Sequence, residues 1–253
     1  MLAFREKWRI ALDELDRLRE FGLTFGDVLA DAGYGMCAEF RQGLMDRGLR
    51  FAVGISSTQK VYPLNVSLRP PKKPGKRGGR PAKHPVPSTS SVSAKDFVAS
   101  LGPNAFRPVT WRNGIKGPLT VEVVALRVRA ADGPEISRGV HLPGQALWLV
   151  CERREGGELR YYFSNLPKST SIRRLVAILK ARWACEQAHQ QMKEELGLDH
   201  FEGRSWNGLH HHLLLTMMAF TFLQELRCKE KKVRREGHHN PPYRRFDEKS
   251  SKR

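Results

Sequence analysis

The chain has 253 residues, of which 40% are hydrophobic and 28% are charged, as in globular proteins of one or two domains. This composition excludes wholesale disorder and a collagen-like fibre. The longest apolar run, at 213–223, is shorter than the roughly 18 residues of a spanning helix, so we expect no membrane partner.

The positive charge is confined to one part of the chain. The net charge is +18, yet residues 1–60 hold nine Lys or Arg and nine Asp or Glu and are neutral. A neutral segment joined to a basic one indicates a face that binds a polyanion, and nucleic acid fits best. The four cysteines include no C-x-x-C pair, which favours reduced thiols over a zinc site.

An alternation of helices and strands is predicted in the first 60 residues. Apolar residues at steps of three and four over 3–20 predict an amphipathic helix that stops at Gly22. Residues 25–30 (FGDVLA) predict a short buried strand that ends at Asp31. A loop, a helix and a second strand are predicted next, over 32–35, 36–47 and 50–55. This order is typical of an α/β layer with parallel strands.

The middle of the chain holds a basic segment rich in Pro, Gly and Ser, followed by three β-type segments. Residues 69–85 hold seven Lys or Arg, no acid, and many Pro and Gly, and Ser-rich sequence follows to 104, which predicts a disordered or extended basic loop. Three β-type segments come next, and the Gly-rich turns between them predict a small antiparallel sheet. These segments are 119–129, 145–152 and 159–164.

Two helices and a basic tail are predicted at the end. The first spans 170–196, with Ser169 or Thr170 as its N-cap and Gly197 as its stop. The second spans about 207–227, and the basic residues after Cys228 predict a frayed tail.

Two carboxylates are candidates for chemistry. Asp31 follows the carboxyl end of a predicted strand, where α/β sheets bind ligands. Glu186 continues a stripe that includes Leu175, Leu179 and Trp183, so a core-facing stripe becomes polar. Two such carboxylates form a hard-oxygen site suited to Mg²⁺. The alternatives are a helix-capping role for Asp31 and a surface ion pair of Glu186 with Arg182.

Both segments resemble one family. LADAGYG around Asp31 resembles the second-Asp motif of DDE transposases from bacterial insertion sequences, of the IS-four group and its 701-like branch. RWACEQAHQQMKEELGLDHFEGRSWNGLHHH resembles the Glu segment of that family. Arg182, Glu186 and Lys193 occupy the signature spacing, and Leu179 stands where the family has Tyr. The resemblance covers roughly residues 3–226.

The resemblance implies a ribonuclease-H-like α/β fold with a β-rich insertion and the first strands missing. It implies a transposase that cleaves transposon-end DNA and transfers strands, with Asp31 and Glu186 as catalytic ligands of Mg²⁺ or Mn²⁺. Arg182, Lys193 and Arg204 would bind DNA phosphates. The KRGGRP segment resembles an AT-hook or a generic phosphate-binding loop, through Lys76, Arg77 and Arg80.

The first Asp of the triad has no counterpart, because Asp13 and Asp16 lie on a predicted helix. We therefore expect a fragment that is inactive or nearly so by itself. We expect DNA and a homodimer as partners, and a bacterial cytoplasmic, nucleoid-associated location. Alternatives are a non-catalytic DNA-binding remnant and a basic protein without nuclease ancestry.

The resemblance also divides the chain into five predicted segments. They are a partial ribonuclease-H-like core (1–67), the basic loop (68–104), the β-rich insertion (105–166), the helical part of the core (167–227) and the basic tail (228–253).

Overall fold

The structure is a computed structural model that describes residues 4–71, 84–114 and 117–236. The chain forms two compact units, Met1–Arg182 and Trp183–Arg253. The helices are α1 (Lys7–Glu20), α2 (Ala32–Gly35), α3 (Ala38–Asp46), α4 (Ala94–Ala99), α5 (Ile172–Ala181), α6 (Trp183–Leu196) and α7 (Trp206–Glu236). The first six strands are β1 (Asp27–Ala30), β2 (Arg50–Ile55), β3 (Lys60–Pro63), β4 (Leu68–Arg69), β5 (Val86–Pro87) and β6 (Val92–Ser93). The other six are β7 (Arg107–Gly114), β8 (Gly117–Ala130), β9 (Glu135–Ser137), β10 (Val140–His141), β11 (Ala146–Arg153) and β12 (Leu159–Ser164).

One mixed sheet organises the first unit. Its strand order is β1-β2-β12-β11-β8-β3-β6, and β7 pairs with β8. The β1–β2 pair is parallel, as predicted, and the other pairs of this sheet are antiparallel. The three strands predicted in the insertion are present. They do not form a separate small sheet, however, because β12 pairs directly with β2, with Phe163 opposite Val53.

The two faces of the sheet carry two cores. Alternate residues of β11 point to opposite faces, so Leu147 and Leu149 lie in one core and Val150 lies in the other. Residues of α1, α3 and α4 pack in the first core, and α5 packs in the second through buried Leu175 and Val176. The apolar stripe predicted for α5 is therefore confirmed.

Two segments predicted as loops form helices. Ala32–Gly35 is the short helix α2, and Asp31 is its N-cap. Within the predicted basic loop, Ser93 caps α4 by accepting the N–H of Asp96, and Ala94 and Val98 are buried in the core. The composition of this segment did not predict α4, because the burial of Ala94 and Val98 depends on the sheet against which they pack.

The predicted helix over 170–196 is divided in two. Its N-cap is Ser171 and not Ser169 or Thr170, since the Ser171 hydroxyl accepts the N–H of Arg174. Helix α5 ends at Ala181, and α6 begins at Trp183. Gly197 ends α6 as predicted, with a φ of +66° that favours glycine.

The last helix is longer than predicted. Helix α7 continues to Glu236 instead of fraying after Cys228. Within the described residues, no helix combines the length and the apolar character needed to span a membrane.

Candidate functional site

Asp31 lies at the turn between β1 and α2. Its carboxylate oxygen Oδ1 accepts the N–H of Gly33 at 2.9 Å and the N–H of Tyr34 at 3.3 Å. The residue is nevertheless exposed. The capping role is therefore real, and it fixes the orientation of a carboxylate that still faces solvent.

Two glycines bring this turn against the sheet. An added Cβ on Gly35 would lie 1.9 Å from the carbonyl oxygen of Gly54, on β2. An added Cβ on Gly54 would in turn lie 3.0 Å from the backbone nitrogen of Ala32. This close backbone contact holds α2, and with it Asp31, at the carboxyl ends of the parallel strands β1 and β2.

A buried carboxylate that sequence reasoning missed lies further along the sheet. Glu152 is 4% exposed, and its Oε1 accepts a hydrogen bond from the ammonium of Lys180 on α5. The hydroxyl of Tyr162 donates to its Oε2 at 3.2 Å, and the Nε of Arg154 lies 3.7 Å from Oε1. Burial, and next the nearby Glu152 charge, raise the pKa of Tyr162.

This cluster ties the end of α5 to β11. Lys180 is one residue from the end of α5, and Glu152 is one residue from the end of β11. The sequence did carry a signal for this pair. Trp148, Val150 and Glu152 are alternate residues and therefore lie on one face of β11, the face that packs against α5. A charged residue on a buried face requires a partner.

The Glu segment lies in the second unit. Glu186 is in the first turn of α6 and Lys193 is in its last turn, and both are exposed. Arg204 is exposed between α6 and α7, whereas Arg182 is half-buried at the end of α5. The core-facing stripe predicted to continue to Glu186 stops instead with α5, because Trp183 at the start of α6 is 55% exposed.

The three remaining residues predicted to bind DNA, Lys76, Arg77 and Arg80, lie outside the described residues. Trp148 is a core residue, 9% exposed, whose indole N–H donates to the carbonyl of Pro167 at 3.2 Å.

The metal-binding capacity of the described residues is limited. Carboxylate oxygens such as those of Asp31 and Glu186 are the donors that Mg²⁺ prefers. In residues 4–71, 84–114 and 117–236, however, no group of three or more His, Cys, Asp or Glu is placed to hold a metal ion. The donor chemistry therefore fits magnesium, whereas a complete ligand set is not assembled there.

Part of the first unit is similar to a known family of nucleases. Residues 1–118 match the model of the DDE superfamily endonucleases, and this segment contains Asp31, α2 and both parallel strands. No curated protein matches the chain. The mixed sheet with helices on its faces fits a DDE nuclease domain. The match supports a DDE-type transposase or endonuclease, for which DNA is the implied substrate.

Proposed function

We propose that the chain is part of a DDE transposase of bacterial insertion sequences, of the IS-four group and its 701-like branch. Its reaction is metal-dependent cleavage of transposon-end DNA followed by strand transfer. One observation carries the proposal: Asp31 lies within the matched residues and directly follows the carboxyl end of a parallel strand. The proposed location is the bacterial cytoplasm, in association with the nucleoid.

Asp31 and Glu186 are the proposed ligands of Mg²⁺ or Mn²⁺. The bound metal would activate the attacking water or hydroxyl and stabilise the leaving oxygen. The two backbone N–H groups that bond to Asp31 Oδ1 hold its carboxylate in one orientation. Arg182, Lys193 and Arg204 are the proposed phosphate contacts, since guanidinium and ammonium groups neutralise the DNA backbone.

The chain alone is proposed to be inactive or nearly so. The support is chemical: within the part of the chain that the structure describes, no group of three metal-binding side chains is assembled. A two-metal site with too few ligands binds its metals weakly. Mg²⁺-dependent nicking of plasmid DNA by the purified chain, abolished by Glu186→Gln, would contradict this proposal.

Metal-dependent DNA binding tests the roles of the two carboxylates. We expect Ca²⁺ to strengthen the binding of a fluorescent DNA duplex relative to EDTA, without cleavage. Asp31→Asn and Glu186→Gln should each remove most of this gain. Glu194→Gln is the control on α6, since Glu194 is exposed and Gln retains an acceptor for Gln190. Equal metal dependence in all variants would contradict the metal-ligand roles.

A non-catalytic DNA-binding remnant is the second candidate. The net charge of +18 supports it, because phosphate neutralisation requires no metal site. DNA binding would then weaken steeply with salt, and Glu186→Ala would leave the affinity unchanged with or without Ca²⁺.

A further inference from the structure

Arg41 on α3 is a charged residue with no exposed surface. One of its two end nitrogens, Nη1, donates to the carbonyl of Gly35, the last residue of α2. The other, Nη2, donates to Oδ2 of Asp132 at 2.9 Å. The guanidinium also lies over the ring of Phe163, 5.5 Å from the ring centroid. Arg41 therefore joins α2 to the turn after β8 through one rigid, planar group.

Asp132, in the turn that follows β8, is itself closely packed. Its side chain is 5% exposed, and its backbone carbonyl accepts the side-chain N–H of Gln42 on α3 at 2.9 Å. An added Cβ on Gly144 would lie 1.9 Å from its Oδ1, so the carboxylate keeps this position only beside a glycine. Because a buried charge without its partner is strongly unfavourable, Asp132 holds the guanidinium of Arg41 in place.

Helix α2 is held at both ends by side chains. Asp31 caps its N-terminal end through the N–H groups of Gly33 and Tyr34, and Arg41 binds the carbonyl at its C-terminal end. A helix of four residues gains little stability from its own hydrogen bonds, so its orientation depends on such outside contacts. Because the Asp31 carboxylate is bonded to this turn, a shift of α2 moves the carboxylate.

We propose that Arg41 is a positioning residue for Asp31, and that Asp132 acts through Arg41. The inference rests on the proposed function, in which Asp31 is a metal ligand, and extends the machinery around that ligand. A functional constellation tolerates displacements of only about 0.5 Å, so a loosened α2 should weaken the site before the chain unfolds. Asp132 lies 91 positions from Arg41 and beyond the matched residues 1–118, so a distant segment would take part in placing Asp31.

Hydrogen exchange followed by NMR tests the positioning role without metal or DNA. Arg41→Lys keeps a cation for Asp132 but replaces two end nitrogens with one, so the contact with Gly35 should be lost. The amides of α2 should then exchange at least about tenfold faster relative to those of β11, because α2 opens locally. The amides to follow are those of Gly33, Tyr34 and Gly35, whose N–H groups bond to Asp31.

Arg47→Lys is the matched control. Arg47 directly follows α3 and pairs with Asp16 on α1, so the same substitution there breaks an ion pair without touching α2. Unchanged exchange of the α2 amides in Arg41→Lys would overturn the proposal. Equal acceleration of these amides by Arg47→Lys would also overturn it, because a general loss of stability would then explain both.

Asp132→Asn gives the same test if Arg41→Lys prevents folding. The amide keeps the shape of the side chain and removes its charge, so the α2 amides should again exchange faster than those of β11. Adding Asp132→Asn to Arg41→Lys should change this exchange little, since both variants break one chain of contacts. Additive effects of the two variants would refute the claim that Asp132 acts through Arg41.

DNA binding separates positioning from phosphate contact. Arg41→Lys should lose most of the Ca²⁺-dependent gain in affinity for the fluorescent duplex. Its affinity in EDTA should stay within about twofold of wild type, because a fully buried side chain neutralises no phosphate. Equal weakening in Ca²⁺ and in EDTA would overturn the positioning role. A wild-type chain without any Ca²⁺ gain would instead contradict the proposed function, and hydrogen exchange would still decide whether Arg41 and Asp132 place Asp31.

Discussion

Gly35 and Gly54 meet backbone to backbone, so closely that a Cβ on Gly35 would lie 1.9 Å from the carbonyl oxygen of Gly54. The same Cβ would lie 2.9 Å from Cβ of Val53. Neither neighbour is the flexible end of a long side chain, so a substitution must move α2 or β2. Because Asp31 caps α2, this contact determines where the candidate carboxylate lies.

Gly35→Ala should therefore destabilise the fold. Overpacking of this kind costs about 1–3 kcal/mol or more, because the backbone must shift. Urea unfolding measures the change in the free energy of unfolding. Gly26→Ala is the control, since no atom lies within 4 Å of its added Cβ and it should change stability by at most about 0.5 kcal/mol. An unfolding midpoint of Gly35→Ala equal to that of the wild type would refute the close contact.

Asp31 can be tested separately for its capping role. Asp31→Ala removes the acceptor for the N–H groups of Gly33 and Tyr34 and should cost about 1 kcal/mol of stability. Asp31→Asn keeps a side-chain acceptor and should stay close to the wild-type stability while losing its charge. Thermal unfolding in EDTA measures both. If Asn and Ala destabilise the chain equally, the cap does not hold α2 as described.

The Glu152–Lys180 pair should be strongly interdependent. The Glu152 side chain is 6% exposed and that of Lys180 is 26% exposed, so Lys180→Met leaves a buried carboxylate without its ammonium partner. This change should cost about 3 kcal/mol, and the double variant Glu152→Leu with Lys180→Met should recover much of the loss. Chemical denaturation of the single and double variants gives the coupling energy.

The pair between Arg160 and Glu158 is the control for that cycle. Its side chains are 51% and 53% exposed, so Arg160→Met should cost less than about 1 kcal/mol. Additive effects of the two changes at Glu152 and Lys180 would show that the buried pair does not stabilise the end of α5.

Alkaline pH should destabilise the sheet through two neighbouring groups. Burial raises the pKa of the Cys151 thiol to about 11 and that of the Tyr161 hydroxyl to about 12. Both groups lose their protons more readily in the unfolded chain, so their stabilising contribution is complete below about pH 9 and is lost as the pH rises through 11 to 12. Urea unfolding from pH 8 to 11 should show stability falling by on the order of 2 kcal/mol.

Cys151→Ala should make this decline shallower, because one of the two groups is removed. Alkylation offers an independent check: Cys185 and Cys228 are exposed and should react with iodoacetamide in the native chain, whereas buried Cys151 should not. Rapid labelling of Cys151 in the folded chain at pH 8 would be inconsistent with its burial.

Local sequence patterns predicted five strands, β1, β2, β8, β11 and β12, together with α1, α3 and the core face of α5, but they missed β3, β6 and β7 of the same sheet. The alternation of apolar and charged residues predicted β8, because side-chain direction in a strand depends only on sequence parity. The short segment FGDVLA before Asp31 predicted β1. Such patterns could not predict that β12 joins β2, since that pairing brings together residues more than 100 positions apart.

By itself, the sequence identified the candidate residues for a metal-dependent reaction on DNA: a carboxylate after a predicted strand, a second on a predicted helix, and a large excess of positive charge. Only the tertiary structure decided how those residues are held. Asp31 is an exposed helix cap fixed by the Gly35–Gly54 contact, Glu152 is buried with Lys180, and Trp183 is exposed where α5 has ended. The reason is physical: residue type sets what a side chain can bond to, whereas burial depends on which distant segments pack against it.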